Sequence, residues 1–322
     1  MATGGERRRY DLLRLIDENE PIGSIRLVDL MQQRGYSIKD RTIRLMLSEL
    51  DEENLTEKVT GKGRRLTPEG REELRRGDVS GRFERIRERI ATLTSEVTYD
   101  PSEDGGEVVF GSGRVPADRV DDAFELLTAL HRSSVGPVPV SLIETDSESE
   151  VEIAAPSSIT LDGILLSRGI NARLVTGGLV EYDGEIDRYI DAISGEGSTM
   201  DVVRLLVEAG RTDVDAILEE REGILIVDSR EFPLTRFDEA RDLSTAARDQ
   251  LGGVLDFRRP RETGQIPAGR SGWEFASLTY GGVSEAAFAL LYEHDLLRKW
   301  ESLGGVRPRS AFEPAPTLRE RL

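Results

Sequence analysis

Apolar positions in the first eighty residues recur three and four apart. Leu12, Leu13, Leu15 and Ile16 mark a helix over Arg7 to Glu18, which breaks at Asn19-Glu20-Pro21. Ser24 is the N-cap of a second helix, Ile25 to Arg34, with Leu27, Val28, Leu30 and Met31 inward and Gly35 closing it. Asp40 caps a third helix through about Leu50, whose core side carries Ile43, Leu47 and Leu50. Spacing then shortens. Leu55 to Thr60 and Arg64 to Thr67 read as strands around Gly61-Lys62-Gly63, and Thr67-Pro68-Glu69 opens another helix with Thr as cap and Pro at its first position. Three helices, a hairpin and a helix, in that order, predict a winged helix-turn-helix over residues 1–79.

The pattern changes after Gly77 to Gly81. Arg82 to Leu93 predicts a charged connecting helix (80–94) with Phe83, Ile86 and Ile90 on one narrow apolar edge, suited to a dimer seam or to a packed linker. From Ser95 short β-rich runs alternate with helices. Glu107 to Phe110 is a strand, Ala117 to His131 a helix, Val135 to Ile143 extended, and Val151 to Ile170 a strand or turn followed by a helix. Arg173 to Tyr182 reads as a strand pair around Gly177-Gly178, and Ser198 to Leu206 as a helix. Val214 to Leu218, Gly223 to Val227, Val254 to Phe257 and Glu274 to Thr279 read as strands, with helices over Thr235 to Leu251 and Ser284 to Tyr292. The expected fold class is α+β: an N-terminal winged helix followed by a larger α+β regulatory and dimerisation domain over 95–305. Residues 306–322, rich in Pro and Arg, are expected to be a disordered tail. No short-period internal repeat is visible.

Composition narrows the function. The 322 residues contain no cysteine, which removes disulfides, thiol nucleophiles and cysteine-held metals. With only His131 and His294 a histidine-rich metal site is not expected either, and the reading carries no metal and no cofactor. No apolar run approaches the roughly 20 residues that span a bilayer, and the first residues lack a secretory h-region, so a cytoplasmic protein without membrane contact is expected. The net charge of -18 opposes DNA binding in dilute salt, because phosphate contact relies on Lys and Arg. Of 43 basic residues, however, only Lys39, Lys58, Lys62 and Lys299 are lysines. Acid excess with arginine in place of lysine fits a halophilic source, where the Debye length falls to about 3 Å at 1 M. Residues 1–79 hold 16 basic and 16 acidic residues, so the whole excess lies beyond them.

That charge-balanced segment carries the candidate chemistry. The second helix of a helix-turn-helix lies in the major groove, and its outer side chains reach base edges and phosphates. Arg41, Arg44, Leu45 and Ser48 share the face opposite Ile43 and Leu47. Lys39, Arg41 and Arg44 supply cations, and Thr42 and Ser48 supply hydroxyl donors. Lys62, Arg64 and Arg65 form a basic wing on a glycine turn. The plainer reading of these residues is a solvated basic surface on a small helical domain that binds protein.

The order of motifs resembles a family. RTIRLMLSELDEENLT followed by GKGRRLTPEGREEL is similar to the winged helix of the archaeal nitrogen-assimilation repressors called NrpR. SSITLDGILLSRGI (157–170), TGGLVEYDG (176–184), GEGSTMD (195–201), DSREFP (228–233) and YGGVSEAAFALLYEHDL (280–296) follow in the order of that family's regulatory domain. The resemblance implies a haloarchaeal repressor that binds a double-stranded operator as a homodimer, with a single regulatory domain sensing a small metabolite such as 2-oxoglutarate. Two positions depart from the pattern. Ser157 stands where the family tends to have cysteine, and Glu285 where it tends to have proline; an acid there opposes a dicarboxylate.

A dicarboxylate sensor needs N–H groups, hydroxyls and a base. Thr176, Gly177, Gly178, Gly281 and Gly282 are candidates for the first, Ser157, Ser158 and Thr160 for the second, and Arg230 for a bidentate clamp. Each has a plain alternative: glycine pairs as turns, Ser158 and Thr160 as helix caps, Arg230 in a local pair with Glu231. Two rival functions stand beside the regulator. One is a protein-binding adaptor that uses the winged helix on a partner. The other is an enzyme, disfavoured because neither histidine sits in a nucleophile–base motif and Gly61-Lys62-Gly63 lacks P-loop spacing.

Overall fold

The computed structural model describes the chain except residues 1–3, 34, 78, 146, 195–205, 261, 263–273 and 322, and except the side chains of 4–7, 75–77, 79–85 and 194. It divides into two compact units, Met1–Glu84 and Arg85–Leu322.

The first unit contains α1 (Gly4–Asn19), α2 (Ser24–Gln33), α3 (Asp40–Glu52), β1 (Thr56–Val59), β2 (Gly63–Leu66) and α4 (Pro68–Gly77). The helical periodicity is cashed in one core: Leu12, Leu13, Ile16, Leu27, Met31, Ile43, Leu47, Leu50 and Leu66 are all buried together. β1 and β2 pair antiparallel from Thr56↔Leu66 to Val59↔Gly63. Gly63 has φ +122°, and a Cβ there would fall 2.1 Å from the Ile22 carbonyl oxygen. Only glycine lets the wing lie against the α1–α2 loop, where Ile22 and Arg64 exchange backbone hydrogen bonds of 3.0 and 2.9 Å. Thr67 caps α4 through the Gly70 N–H at 2.9 Å, as its place before Pro68 implies. α5 (Val79–Glu96) starts in this unit and ends in the second.

The second unit holds two five-stranded antiparallel sheets. Its elements in order are β3 (Glu107–Pro116), α6 (Val120–Arg132), β4 (Pro139–Ile143), β5 (Glu150–Pro156), α7 (Ile159–Ser167), β6 (Arg173–Tyr182), β7 (Ile186–Ser194) and α8 (Asp215–Leu218). Then come β8 (Gly223–Pro233), α9 (Phe237–Leu251), β9 (Val254–Arg258), β10 (Phe275–Gly281), α10 (Val283–Glu293), β11 (Lys299–Pro308), β12 (Glu313–Pro314) and α11 (Ala315–Arg319). Strand orders are β7-β6-β8-β10-β9 and β11-β3-β5-β4-β12.

These orders reveal a duplication too long in period to register as a short repeat. β3-α6-β4-β5-α7-β6 is repeated by β8-α9-β9-β10-α10-β11, each first helix entered by a proline and a three-residue 3-10 turn, Ala117–Arg119 or Leu234–Arg236. Pro116, Arg119, Asp121 and Ala123 correspond to Pro233, Arg236, Asp238 and Ala240. Both copies keep an i,i+3 ion pair at the helix start, Arg119–Asp122 and Arg236–Glu239. The last strands are exchanged: β6 pairs with β8 and β11 with β3, so each half completes the other's sheet. α10 is buried on nearly every side, Val283 to Leu291 all lying inside, and α7 is buried over Ile159 to Leu165 apart from half-buried Asp162 and emerges at Leu166.

Several expectations are corrected. The tail is ordered: β11 runs to Pro308, Glu313 pairs with Val140, Phe312 and Ala315 are buried, and Arg309 holds Asp104 at 2.9 Å. Its prolines stand at strand ends and in the first turn of α11, where they break no ladder or helix bond. Arg173 to Tyr182 is one strand, paired with β7 rather than folded on itself. The glycine permits close approach, since a Cβ at Gly178 would meet the Asp191 oxygen at 2.2 Å. Val214 to Leu218 is not a strand but holds the one-turn helix α8 with Val214 before it, and the N–H groups of Val214 and Asp215 donate to the Glu293 carboxylate at 3.0–3.1 Å. Ser198 to Leu206 and the GEGSTMD motif fall almost wholly outside the described residues. Among those residues no helix is long and apolar enough to cross a membrane, and no group of three acids or histidines is placed to hold a metal ion.

Candidate functional site

Two sets of candidate residues lie in different units. In the first, α3 buries Ile43, Leu47 and Leu50 and exposes Arg41, Thr42, Arg44, Leu45 and Ser48, with Lys39 exposed just before it. Arg44 is bonded to Asp40 one turn back at 2.8 Å. Lys62 is exposed at the tip of the wing, and Arg65, also exposed, pairs with Glu57 at 2.7 Å. Arg64 departs from the basic wing. Its guanidinium lies inward, 18% exposed, and grips Asp51 at the end of α3 with bonds of 2.9–3.1 Å. Burial alone would raise the Asp51 pKa; hydrogen bonds from Arg64 and Thr56 outweigh it and hold the carboxyl below its usual range. Alternation along β2 carries the signal, because Arg64 shares a face with buried Leu66 while Arg65 takes the opposite one.

In the second unit β5 delivers Ser157 and Ser158 to the start of α7, and β10 delivers Gly281 and Gly282 to the start of α10. The two helix N-termini abut: a Cβ on Gly282 would lie 2.7 Å from the Ser158 nitrogen. Into this junction project Arg230 and Asp228 from one face of β8, Asp162 from the first turn of α7, and Glu285 from that of α10. Arg230 is fully buried and donates bidentately to Asp162, Nε to Oδ1 at 2.6 Å and Nη2 to Oδ2 at 2.8 Å, with a further bond to the Asp228 carbonyl at 3.2 Å. The Ser158 hydroxyl lies between two carboxyl groups, 3.0 Å from Asp228 and 3.2 Å from Glu285. Glu285 also receives the Ser158 N–H at 3.5 Å and the Ser157 and Ser284 hydroxyls at 3.4 and 2.8 Å.

Two buried carboxyl groups, of Asp228 and Glu285, and the half-buried one of Asp162 thus surround one guanidinium. Burial pushes the Asp228 carboxyl up; Arg230 pulls it back and the Glu285 charge raises it again, leaving it at about 6. Its Oδ1 has no partner. For Arg230 burial opposes the charge, but Asp162 outweighs it and keeps the guanidinium above its ordinary value. Beside this, Tyr189 touches both Ser229 and Thr279, which are 2.9 Å apart.

The sequence candidates sort accordingly. Ser157, Ser158, Arg230 and Gly282 come together, whereas Gly281 stays in the β10 ladder opposite Val254. Thr160 does not join them; its hydroxyl exchanges bonds of 3.0 and 3.1 Å with the Val109 backbone. Thr176, Gly177 and Gly178 lie mid-strand in β6, between β7 and β8, where ladder partners on both sides occupy their backbone groups. Arg230 clamps Asp162 and not its neighbour Glu231, which pairs with Arg173 at 3.5 Å. Asp162, Asp228 and Ser284 had no assigned role; the two-residue spacing of Asp228 and Arg230 was the available signal. On the far side of Asp162, 13% exposed, a cavity of about 380 Å3 lies between α5, α7 and the start of β6, with Ile90, Ala91, Leu166, Arg87 and Arg173 in its wall.

A winged helix followed by a duplicated α+β unit with a buried charged junction defines the class. Residues 84–308 match the family described as NrpR regulatory domains NRD1 and 2, and residues 10–74 match the Ribonuclease R winged-helix domain. The chain belongs to the NrpR regulatory-domain family. It is 28% identical over 281 residues to the Global nitrogen regulator NrpRI of Methanosarcina mazei, covering 82% of this chain and 87% of that one. It is 32% identical over 258 residues to the Global nitrogen regulator NrpR of Methanocaldococcus jannaschii, covering 78% of this chain but 45% of the longer relative. The fold is shared with the crystal structure of a nitrogen repressor-like protein from Methanococcus jannaschii, with TM-score 0.57, 18% identity, and coverage of 71% of this chain and 98% of that one.

Proposed function

We propose that this chain is a cytoplasmic transcriptional regulator, acting as a repressor, whose winged helix binds a double-stranded operator and whose second unit dimerises and senses a metabolite. The observation that carries the reading is the outer face of α3, where Lys39, Arg41, Thr42, Arg44 and Ser48 stand exposed above a fully packed inner face. The relatives named as global nitrogen regulators support a role in nitrogen control. The acidic remainder suits work in concentrated salt, where repulsion from phosphate is screened.

2-Oxoglutarate is the effector that the family resemblance implies. Between Ser157 and Arg230 it would meet Asp228 and Glu285, with the guanidinium already held by Asp162. The cavity beside Asp162 has room, two guanidinium groups and a wall formed by α5, the helix that begins in the winged-helix unit. The test is a salt-titrated binding assay of the full chain on duplexes selected from a random library. Arg41→Ala and Arg44→Ala should each weaken binding several-fold with the fold unchanged, and the salt slope should fall by about one per lost phosphate contact. Unaltered binding by both variants refutes the assignment of α3.

A further inference from the structure

The centre of the α3 face is not basic. Leu45 is 57% exposed, one turn from Arg41 and Ser48 and next to Arg44. Within the described part of the first unit, Ile25 is the other large apolar side chain left in water to this degree. Leu45 contributes nothing to the α3 core, which Ile43, Leu47 and Leu50 complete without it. Helix propensity does not explain it either, because Arg, Lys, Gln or Glu would serve an exposed position about as well. Single exposed leucines are common on protein surfaces; what distinguishes this one is its place. It sits at the middle of the face that the DNA reading aims into the major groove, with Arg41, Thr42 and Ser48 a turn away and the exposed acid Glu49 as its i+4 neighbour.

We infer that Leu45 is a specificity residue that packs against the C5-methyl group of a thymine in the operator. The inference rests on the reading of α3 as the DNA-contacting helix. Among the four bases, thymine offers the major groove an apolar group; the other edges offer donors and acceptors that an isobutyl side chain would leave unpaired. Leu45 therefore rewards thymine and penalises guanine, adenine and cytosine at one position of each half-site. Arg41, Thr42 and Ser48 suit phosphates beside that base, while the exposed Glu49 suits an amino group on a neighbouring base edge; neither suits an apolar protein surface.

The size of the effect follows from one methyl group. Its burial is worth about 0.8 kcal/mol, which corresponds to about four-fold in Kd. The experiment uses the full chain and a duplex selected from a random library at fixed salt, in which each thymine is replaced in turn by deoxyuridine, a change that removes the methyl group alone. For the parent, one thymine per half-site should show a loss of about four-fold. Leu45→Ala should bind more weakly and show no further loss on the same replacement, while Ile25→Ala should keep the four-fold difference. Because Leu45 is exposed, circular dichroism of the variant should match the parent. Uracil duplexes bound as tightly as thymine duplexes, or a methyl effect that persists in Leu45→Ala, would overturn the proposal and leave the DNA reading intact. A change in oligomeric state without a change in methyl discrimination would instead assign Leu45 to a contact between copies. Absence of any duplex binding at every ionic strength would sink the DNA reading and this inference with it.

Discussion

Asp228→Asn should stabilise the second unit above pH 6 and leave it nearly unchanged at pH 4. Asp228 is buried, its Oδ1 has no partner, and Glu285 faces it across the Ser158 hydroxyl. Its carboxyl is raised from 3.8 to about 6, mainly by burial, so the folded chain binds this proton more tightly than the unfolded chain does. The sign follows. Stability from the neutral carboxyl is fully present below pH 3.8 and is lost as pH rises through about 6. At about 1.36 kcal/mol per pKa unit, holding the ionised group at pH 8 costs roughly 3 kcal/mol. Asparagine resembles the protonated acid and escapes that cost. Trp300 is buried in the second unit and residues 1–84 contain no tryptophan, so tryptophan fluorescence during urea denaturation follows the second unit selectively. The difference between variant and parent, which cancels the titration of the other acids, should grow from near zero at pH 4 to a plateau of about 2–3 kcal/mol above pH 7. A difference independent of pH, or a variant that becomes relatively less stable as pH rises, would refute the reasoning.

Two further outcomes test the same geometry. Arg230→Met leaves the carboxyl groups of Asp162, Asp228 and Glu285, two of them buried, without their cation and should cost roughly 3–5 kcal/mol, with a smaller loss at pH 5 than at pH 8 because protonation relieves the repulsion; equal losses at both values would mean that the cluster is not electrostatically coupled. In the wing, Arg64→Ala should destabilise the first unit by about 1–3 kcal/mol, read from amide exchange of the β1–β2 hairpin, whereas Arg65→Ala should leave exchange unchanged and weaken duplex binding. Because Asp51 is held below its usual range, the Arg64 contribution should also fade as pH drops below about 4.

The winged helix was legible in the sequence nearly residue by residue. Its helices are set by apolar spacing within single turns, its wing by Gly61 and Gly63, and its last helix by Thr67-Pro68, all signals that act over a few residues. The motifs of the second unit were legible as well, and Ser157, Ser158, Arg230 and Gly282 do meet. Their chemistry was not, because it depends on partners far away in the chain. Arg230 finds Asp162 across 68 positions and Ser158 finds Glu285 across 127. Those meetings follow from the exchange of β6 and β11 between two halves, a fact of strand order that no local pattern carries. Burial then decides what the groups can do. In the sequence Arg230 reads as a base awaiting an anion; in the fold its anion is Asp162, and two more carboxyl groups close the place around it. The face of α3 shows the same division. Periodicity places Leu45 outward with Arg41, Arg44 and Ser48, but only the packed structure shows that the core is complete without it and that its side chain stands exposed at the centre of that face.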